Sequence, residues 1–340
     1  MLFRGCLKTP GGLCINSIMI TPQESLFGAI KYFQTRFTGR PKLVNLEITK
    51  LCNAKCDFCD YWQTRHEERI YDYRPVIKLI NPLVVVITGG EPMLRKDLPD
   101  IVRQVKESSY FIFTSMVTKG DLLTVDKAKE LYDAGINQIA ISLDFPGKTH
   151  DTYRGVPGLW DHLSELLPVL GKRFPKGKVT LNTIIMEDNI DSIPELAAKA
   201  REWGIGISFS SYSVMKTNNE THFVHPKELE RVKNLVAELI RLRKTWKGTI
   251  LSTEYYLKEI PRYFETGGIP GCTAGISHIQ VTPSGHLKRC SEMPITTHYS
   301  EYSPKLYEET KCTACWYACR GETQTPASIR RALEYMGVWV

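Results

Sequence analysis

The sequence predicts an α/β fold in which a partial barrel of six β/α units is followed by a small cysteine-rich domain. Between residues 41 and 212, short β-forming runs alternate with longer amphipathic stretches, which is the pattern of parallel strands joined by helical crossovers. The alternation stops after residue 212, and residues 213–267 are predicted to form a helical connector. From residue 268 to 325 the composition shifts towards Gly, Thr, Ser and Cys, which indicates the second domain.

Six strands are predicted, and each crossover is long enough to return the chain in parallel. The strands cover residues 43–49, 83–88, 110–114, 138–143, 179–185 and 205–210. Helices are predicted at 98–106, 124–134, 159–170 and 193–203, with one charged amphipathic helix at 226–246 in the connector. Because the barrel has six units, it is predicted to be open, with its reactive side chains at the C-terminal ends of the strands. In the cysteine-rich domain, Pro283, Ser284 and Gly285 predict a hairpin turn.

Both ends of the chain carry apolar stripes. In the N-terminal extension, residues 1–40, Leu26, Ile30, Phe33 and Phe37 have the spacing of one face of an amphipathic helix. Such a stripe usually packs against the domain that it precedes. The alternative is an interfacial helix, which would bring the protein to a membrane surface. A final helix is predicted within residues 326–340, and the same alternatives apply to it.

Composition and charge argue against several classes of function. The 340 residues are 42% apolar and 24% charged, as in an ordinary globular protein. No apolar run is long enough to span a bilayer, and Pro10, Gly11 and Gly12 interrupt the N-terminus before a signal peptide could form. The formal net charge of +7 is scattered along the chain, which argues against a nucleic-acid partner.

Cysteine usage favours metal binding over disulfides. Eight of the ten cysteines fall in two tight clusters within a long chain, a pattern that is typical of metal sites in a reducing cytoplasm. The two remaining cysteines, Cys6 and Cys14, are expected to be reduced thiols.

The first cluster directly follows the first predicted strand. Cys52, Cys56 and Cys59 have the spacing C-x3-C-x2-C, with no fourth cysteine nearby. Structural zinc normally takes four ligands from paired C-x2-C units, whereas an iron–sulfur cube held by three thiolates leaves one iron open to a chelating small molecule. A zinc site and unligated buried thiols are the alternatives.

This loop resembles the signature of the radical SAM superfamily, C-x3-C-x-aromatic-C after strand one, with Phe58 as the aromatic residue. The resemblance implies that S-adenosylmethionine (SAM) chelates the open iron of a [4Fe–4S] cluster on Cys52, Cys56 and Cys59. It also implies that reductive cleavage of SAM gives a 5′-deoxyadenosyl radical, which abstracts hydrogen from a substrate. A flavodoxin or ferredoxin type protein is the expected electron donor. In such enzymes the cofactor carries the chemistry and the protein supplies position.

A second motif of the family follows strand two. Gly89, Gly90, Glu91 and Pro92 resemble the GGEP motif. Its glycines allow close backbone approach and positive φ. The resemblance implies that the backbone edge and Glu91 receive the methionine ammonium of SAM.

Three later strands supply weaker similarities. Ser115 lies in a segment similar to the family's polar turn after strand three, although the usual Asn-Gly is not intact. Ser142 and Asp144 resemble the S-x-D segment, whose polar groups can hydrogen-bond the ribose of SAM. The alternative is that they cap the following segment. Asn182 lies on strand five and could face the barrel mouth, although alternation alone does not fix its direction.

The second cluster resembles the SPASM/twitch extension of radical SAM enzymes. Cys272, a glycine and Cys290 match its first half, C-x(9–15)-G-x4-C, whereas C-x2-C-x3-C at Cys312, Cys315 and Cys319 departs from the full pattern. Five thiols cannot ligate two cubes, so the resemblance implies the shorter twitch form with one auxiliary [4Fe–4S] cluster. Cys272, Cys290, Cys312 and Cys315 are the expected ligands, with Cys319 replacing one of them or remaining free. Structural zinc is the alternative.

Reaction outcome and substrate stay open. A saturated auxiliary cluster suits removal of an electron from a substrate radical, as in dehydrogenation or bond-forming oxidation, whereas a free Cys319 could return hydrogen in an epimerisation. A small-molecule substrate is expected, because only about forty residues precede the barrel and peptide-modifying relatives often carry an extra leader-binding domain. Peptide maturation is the alternative among enzymes. A non-catalytic iron–sulfur or zinc scaffold is the alternative of another class.

Overall fold

The computed structural model describes residues 22–328. Its helices are α1 (Pro22–Thr38), α2 (Arg74–Ile80), α3 (Leu98–Glu107), α4 (Val125–Asp133), α5 (Thr149–Arg154), α6 (Leu159–Arg173), α7 (Ile193–Glu202), α8 (Leu229–Thr245), α9 (Glu254–Thr266) and α10 (Ala318–Gln324). Its strands are β1 (Leu43–Thr49), β2 (Val84–Gly89), β3 (Phe113–Thr118), β4 (Gln138–Ser142), β5 (Val179–Ile185), β6 (Gly206–Ser211), β7 (His278–Val281), β8 (His286–Lys288) and β9 (Ile295–His298). Cys6, Cys14 and most of the predicted C-terminal helix lie outside the described residues.

The strands form one sheet in the order β6-β5-β4-β3-β2-β1-β7-β8-β9. From β1 to β6 every neighbouring pair is parallel and consecutive in the chain. The intervening helices complete the six predicted β/α units, and this confirms the α/β class and the parallel sheet. Because parallel strands end at a common edge, all six C-terminal ends lie together on one side of the sheet.

The strand predictions are close, with one exception. β3 was expected at 110–114 but covers Phe113–Thr118. The reason is its pairing with β2, which begins only where the Phe113 amide donates to the Leu83 carbonyl at 3.0 Å. Ser115 therefore lies on the strand rather than in the turn that follows it.

The connector contains two helices rather than the single helix expected at 226–246. Residues Pro226–Glu228 form a 3-10 turn, and α8 begins at Leu229. A second helix, α9, begins after Thr253, whose hydroxyl accepts a hydrogen bond from the Tyr256 amide at 3.1 Å. The apolar sides of α8 and α9 are part of the same core as the barrel.

The cysteine-rich segment extends the barrel sheet. β7 pairs in parallel with β1, so that Leu43 lies opposite His278, and β8 and β9 continue the sheet as antiparallel strands. The predicted hairpin is confirmed: β7 and β8 are joined by a turn in which Gly285 has φ +81°, a conformation that favours glycine. The predicted boundary between the two domains, at residue 268, stays a prediction.

Alternation along the strands gives the sheet two different faces. On β1, Val44, Leu46 and Ile48 are fully buried in the apolar layer between sheet and helices. Leu43 and Asn45 point to the opposite face, where they line a cavity inside the barrel. The polar side chains with functional potential are therefore concentrated on the inner face.

The apolar stripe of α1 does not pack against the barrel as expected. The helix contacts the barrel through another face, on which Phe27 packs against Leu83 and Phe111. The stripe residues are exposed, from 42% for Ile30 to 85% for Phe37. Membrane-surface contact stays a prediction. Among the described residues, no helix combines the length and the apolar character that crossing a bilayer requires.

Candidate active site

The first cysteine cluster occupies the loop that leaves β1. Its backbone folds tightly, because the Cys59 amide donates to the Cys56 carbonyl at 3.3 Å and the Ala54 amide donates to Cys52 Sγ at 3.4 Å. Burial raises the pKa of all three thiols, that of Cys56 to about 11. The nearby Cys59 also raises the pKa of Cys52 and of Cys56, and Cys52 raises that of Cys56. A metal cluster would reverse these shifts, because it binds the thiolates.

Helix α5 supports this loop from the side through its last residue. The Arg154 carbonyl accepts hydrogen bonds from the Lys55 amide at 3.0 Å and from the Cys56 thiol at 3.9 Å. The Arg154 guanidinium forms a buried ion pair with Asp144 and lies 5.3 Å from the centre of the Phe58 ring. A buried cation beside Cys56 would stabilise the negative charge of a ligated cluster.

The Gly-Gly-Glu segment is attached to the cysteine loop by its backbone. The Gly90 amide donates to the Thr49 carbonyl at 2.8 Å, and the Glu91 amide donates to the Leu51 carbonyl at 2.9 Å. A Cβ at Gly89 would lie 2.0 Å from the Thr49 oxygen, and one at Gly90 would lie 2.3 Å from the Leu51 oxygen. Both positions therefore require glycine, because the cysteine loop itself occupies the space that a side chain would need.

The Glu91 carboxylate is buried and receives several protein donors. Its Oε1 accepts from the Thr118 hydroxyl at 2.7 Å and from the Met93 amide at 3.0 Å, and its Oε2 accepts from the Lys119 amide at 3.0 Å. The Lys119 ammonium lies 3.6 Å from the same oxygen. In this structure Glu91 thus joins the segment after β2 to the end of β3. Its role, and that of Pro92, in binding the methionine part of SAM stays a prediction.

The residues of the predicted ribose-binding segment differ in their surroundings. Asp144 is buried, and its two oxygens accept from the Ile184 amide at 2.9 Å and from Arg154. These contacts give it a structural role in holding Arg154, beside the predicted role in binding SAM. Ser142 is buried at the end of β4, opposite Asn182 of β5. Asn182 and Ser115 both line the cavity inside the barrel, so the structure brings these two predicted residues together.

That cavity has a volume of about 520 Å³. It is lined by the inward-facing side chains of all six barrel strands: Leu43, Asn45, Val86, Thr88, Ser115, Val117, Gln138, Ala140, Asn182, Ile184, Ser208 and Ser210. Phe58 and Cys59 contribute from the first cysteine loop, and Tyr317 and Cys319 contribute from the C-terminal segment. One cavity therefore touches both cysteine clusters.

Electrostatic interactions link four of the five C-terminal cysteines. Burial raises the pKa of Cys290 and of Cys315, the latter to about 12, and Cys272 adds to both shifts. Burial likewise raises the pKa of Cys319, with further contributions from Cys315 and Cys290 and a partial offset by a hydrogen bond to Asn45. These interactions link Cys272, Cys290, Cys315 and Cys319, whereas the expected ligand set has Cys312 in place of Cys319.

Both groups of cysteines have the side-chain chemistry of iron–sulfur ligands. The eight thiols are free of disulfides, and thiolates are the usual ligands of such clusters. Among residues 22–328, no three Cys, His, Asp or Glu side chains are arranged to hold one metal ion.

Sequence reasoning missed the residues that hold the first loop in place. Arg154 is one of them, and His222 is another, because it bridges Asp57 of the loop at 2.9 Å and Asp188 at 2.6 Å. The Tyr153 hydroxyl also lies within 2.5 Å of Asp188. No local spacing could have found these contacts, since 165 positions separate Asp57 from His222.

Comparison with known proteins identifies the family of the barrel. Residues 46–200 match the radical SAM superfamily. The chain is 25% identical over 281 residues to the AdoMet-dependent heme synthase of Methanosarcina barkeri, and the alignment covers 76% of this chain and 79% of that protein. It is 24% identical over 262 residues to the GTP 3′,8-cyclase of Clostridium perfringens, and this alignment covers 73% of this chain and 79% of the cyclase.

Among solved structures, SuiB of Streptococcus suis bound to S-adenosylmethionine has the same fold, with a TM-score of 0.61 and 18% identity over 84% of this chain and 70% of SuiB. The matched family region contains Cys52, Cys56 and Cys59 but ends before the C-terminal cysteines. Enzymes of this family bind SAM and a [4Fe–4S] cluster and require a reductant. Residues 46–200 form a radical SAM domain, and the chain is a radical SAM enzyme.

Proposed function

We propose that the chain oxidises a small molecule that binds in the barrel cavity, using a SAM-cleaving cluster on Cys52, Cys56 and Cys59 and an auxiliary cluster near Cys319. The first cluster, when bound, supplies the electron that cleaves SAM to a hydrogen-abstracting radical, and the auxiliary cluster would accept an electron from the substrate. The observation that carries this proposal is the 520 Å³ cavity, whose wall includes both Cys59 and Cys319.

Cavity size supports a small substrate. Sites for small molecules in proteins usually measure about 300–1,000 Å³, and this cavity must also admit part of SAM. The chain's own residues shape it: Asn182, Ser115 and Gln138 place hydrogen-bonding groups on the wall, whereas Val86 and Ile184 place apolar groups there. The heme synthase and the GTP cyclase that this chain resembles are named for small-molecule chemistry, which supports the same substrate class.

The ligands that we propose for the auxiliary cluster are Cys272, Cys290, Cys315 and Cys319. The influence of these cysteines on one another's pKa values supports this set, because a cube needs four thiolates arranged around it. With four thiolates the cluster has no open iron, so it suits electron transfer and not substrate chelation. Asn45, which hydrogen-bonds the Cys319 thiol, would then lie between the cluster and the cavity.

The test is anaerobic reconstitution with iron and sulfide, followed by dithionite and SAM. We expect release of 5′-deoxyadenosine and methionine, together with about eight irons per chain, since each cube holds four. The control is a variant in which Cys52, Cys56 and Cys59 are all alanine, which should release neither product. Equal release from both proteins would contradict the proposal. A protein that binds iron but cleaves no SAM would instead be the non-catalytic scaffold.

Epimerisation is a second candidate, because Cys319 lines the cavity and could return a hydrogen atom if it were not a ligand. Turnover in deuterated water separates the two outcomes once a substrate is known. A thiol exchanges with water, so an epimerase would place deuterium in its product. An oxidation would leave the product with fewer hydrogens and no deuterium from this source. If the substrate is a peptide, the same assay with peptide fractions as candidate substrates would identify it.

A further inference from the structure

Arg154, the last residue of α5, carries a buried positive charge beside the first cysteine loop. The residue is only 9% exposed. Its Nη2 pairs with the Asp144 carboxylate, whereas its Nε is a buried donor to which the residues that the structure describes offer no acceptor. A charged donor without an acceptor in the protein interior costs stability, and native proteins contain few of them. The unpaired Nε therefore indicates an additional acceptor beside α5.

The contacts of Arg154 hold it against the segment that joins Cys56 to Cys59. Its carbonyl accepts from the Lys55 amide at 3.0 Å and from the Cys56 thiol at 3.9 Å. Its guanidinium lies 5.3 Å from the centre of the Phe58 ring and interacts with the Cys56 thiol. Backbone and side chain thus place the positive charge next to the proposed ligands of the SAM-cleaving cluster.

The opposing charge of Asp144 is anchored elsewhere. Asp144 is fully buried, with one oxygen paired to Arg154 and the other accepting from the Ile184 amide of β5 at 2.9 Å. The arginine therefore contacts the cysteine loop, whereas the carboxylate contacts β5. A negative charge held by the cysteine loop would interact more strongly with Arg154 than with Asp144, because the interaction weakens with distance.

From these contacts we propose that Arg154 raises the reduction potential of the SAM-cleaving cluster, by donating its Nε–H to a cluster sulfur and by placing a positive charge beside it. The cluster itself rests on the proposed function. Reduction adds one negative charge, which a nearby cation stabilises in an interior of low polarity. Net charge and hydrogen bonds to the sulfurs are among the means by which a protein sets the potential of such a cluster. Asp144 would lower the same potential, since its charge has the opposite sign.

The test is a redox titration of the reconstituted full-length chain, followed by electron paramagnetic resonance in the absence of SAM. The SAM-cleaving cluster is identified as the one whose signal changes when SAM is added to a parallel sample. In Arg154→Gln we expect its midpoint potential to fall by about 59 mV, which is a tenfold less favourable one-electron reduction. In Asp144→Asn the midpoint should rise, because the opposing charge is removed while an acceptor for Arg154 is kept.

Opposite shifts separate this role from a structural one. If the ion pair only supported the loop, breaking it from either side would shift both midpoints in the same direction or leave both unchanged, and either result would overturn the proposal. Should Arg154→Gln not retain iron, the double variant Asp144→Asn/Arg154→Gln takes its place. Its midpoint should lie below that of Asp144→Asn, and an equal or higher value would contradict the proposal.

The matched control is Arg320→Gln, which removes a buried arginine of the other cysteine region that donates to the Cys315 carbonyl at 2.6 Å. The midpoint of the SAM-sensitive signal should stay at the wild-type value, and a fall as large as in Arg154→Gln would overturn the proposal. A SAM-sensitive signal whose midpoint is the same in all variants would remove this inference alone. A wild-type protein without any SAM-sensitive signal would instead remove the proposed function.

Discussion

The two cysteine regions of the molecule present thiols to the same cavity, but they bring their cysteines together differently. Cys52, Cys56 and Cys59 lie within one loop that leaves β1. The C-terminal cysteines come from separate segments: one before β7, one after β8, two before α10 and one within α10. Sequence spacing is therefore enough to identify a ligand set when all the ligands lie in one loop. When the ligands lie in separate segments, the folding of the chain between those segments determines which thiols come together.

The largest expected effect is a difference in SAM cleavage between variants of the two cysteine regions. Replacing Cys56 with alanine should reduce 5′-deoxyadenosine formation to background, because it removes one of the three thiolates that we propose to hold the SAM-cleaving cluster. Cys290→Ala should retain SAM cleavage in the absence of substrate and lose the oxidised product. The measurement is 5′-deoxyadenosine by mass spectrometry after reduction with dithionite. Complete loss of cleavage in Cys290→Ala would mean that the two regions do not act separately.

A second experiment sharpens the comparison within the C-terminal region. Cys319→Ala should lower the iron content from about eight to about four per chain, whereas Cys312→Ala should keep about eight, if the four neighbouring thiols are the ligands. Iron analysis and electron paramagnetic resonance of the reduced proteins measure this. The opposite result would support the ligand set expected from the sequence, with Cys312 in place of Cys319.

A buried arginine contacts each cysteine region, and we expect the removal of these two arginines to have unequal effects on stability. Arg154→Met leaves the buried Asp144 carboxylate without its ion-pair partner, which should cost about 3–5 kcal/mol. Arg320 donates to the Cys315 carbonyl at 2.6 Å and the Pro270 carbonyl at 3.0 Å, so Arg320→Met should cost about 1–3 kcal/mol. Urea unfolding of the metal-free protein gives both values.

The double variant Asp144→Asn/Arg154→Met is the control for this interpretation. It removes the charge together with its partner, so it should recover part of the stability that Arg154→Met loses. If the double variant were less stable than Arg154→Met, the ion pair would not explain the cost.

The two regions should also show a similar dependence of stability on pH. Burial lowers the pKa of His150 beside the first loop, and of His278 on β7, to about 4 from an ordinary 6.5. As the pH falls, these histidines become protonated in the unfolded chain before they do so in the folded protein. Their contribution to stability is therefore fully present above pH 6.5 and is lost as the pH falls towards 4. Between pH 6.5 and 5 each histidine should contribute a loss of about 2 kcal/mol.

His278→Asn should remove about half of this pH-dependent loss, measured by urea unfolding of the metal-free protein at several pH values. The exposed His66 provides a matched control, since His66→Asn changes the same side chain outside the core. An unchanged slope in His278→Asn would show that this histidine does not stay neutral on folding.

Much of the fold followed from local patterns. The strand expected at 179–185 is β5, and the helix expected at 98–106 is α3 with one further residue, because both have strong periodicity and clear ends. The start of β3 was misplaced because Tyr110, Phe111 and Ile112 have β-forming side chains but precede the pairing with β2. Helix α9 was not expected, since Pro261 interrupts its pattern.

The sequence alone was enough to predict the ligands of the first cluster, because a loop of eight residues cannot separate three cysteines by much, and the family motif lies within it. It also determined that an α/β barrel would hold this loop at the C-terminal end of β1. Only the tertiary structure suggested Cys319 beside Cys272, Cys290 and Cys315 as the proposed ligands, and only it placed Arg154 against Cys56. Contacts between distant segments depend on how helices and strands pack, and no spacing along the chain encodes that packing.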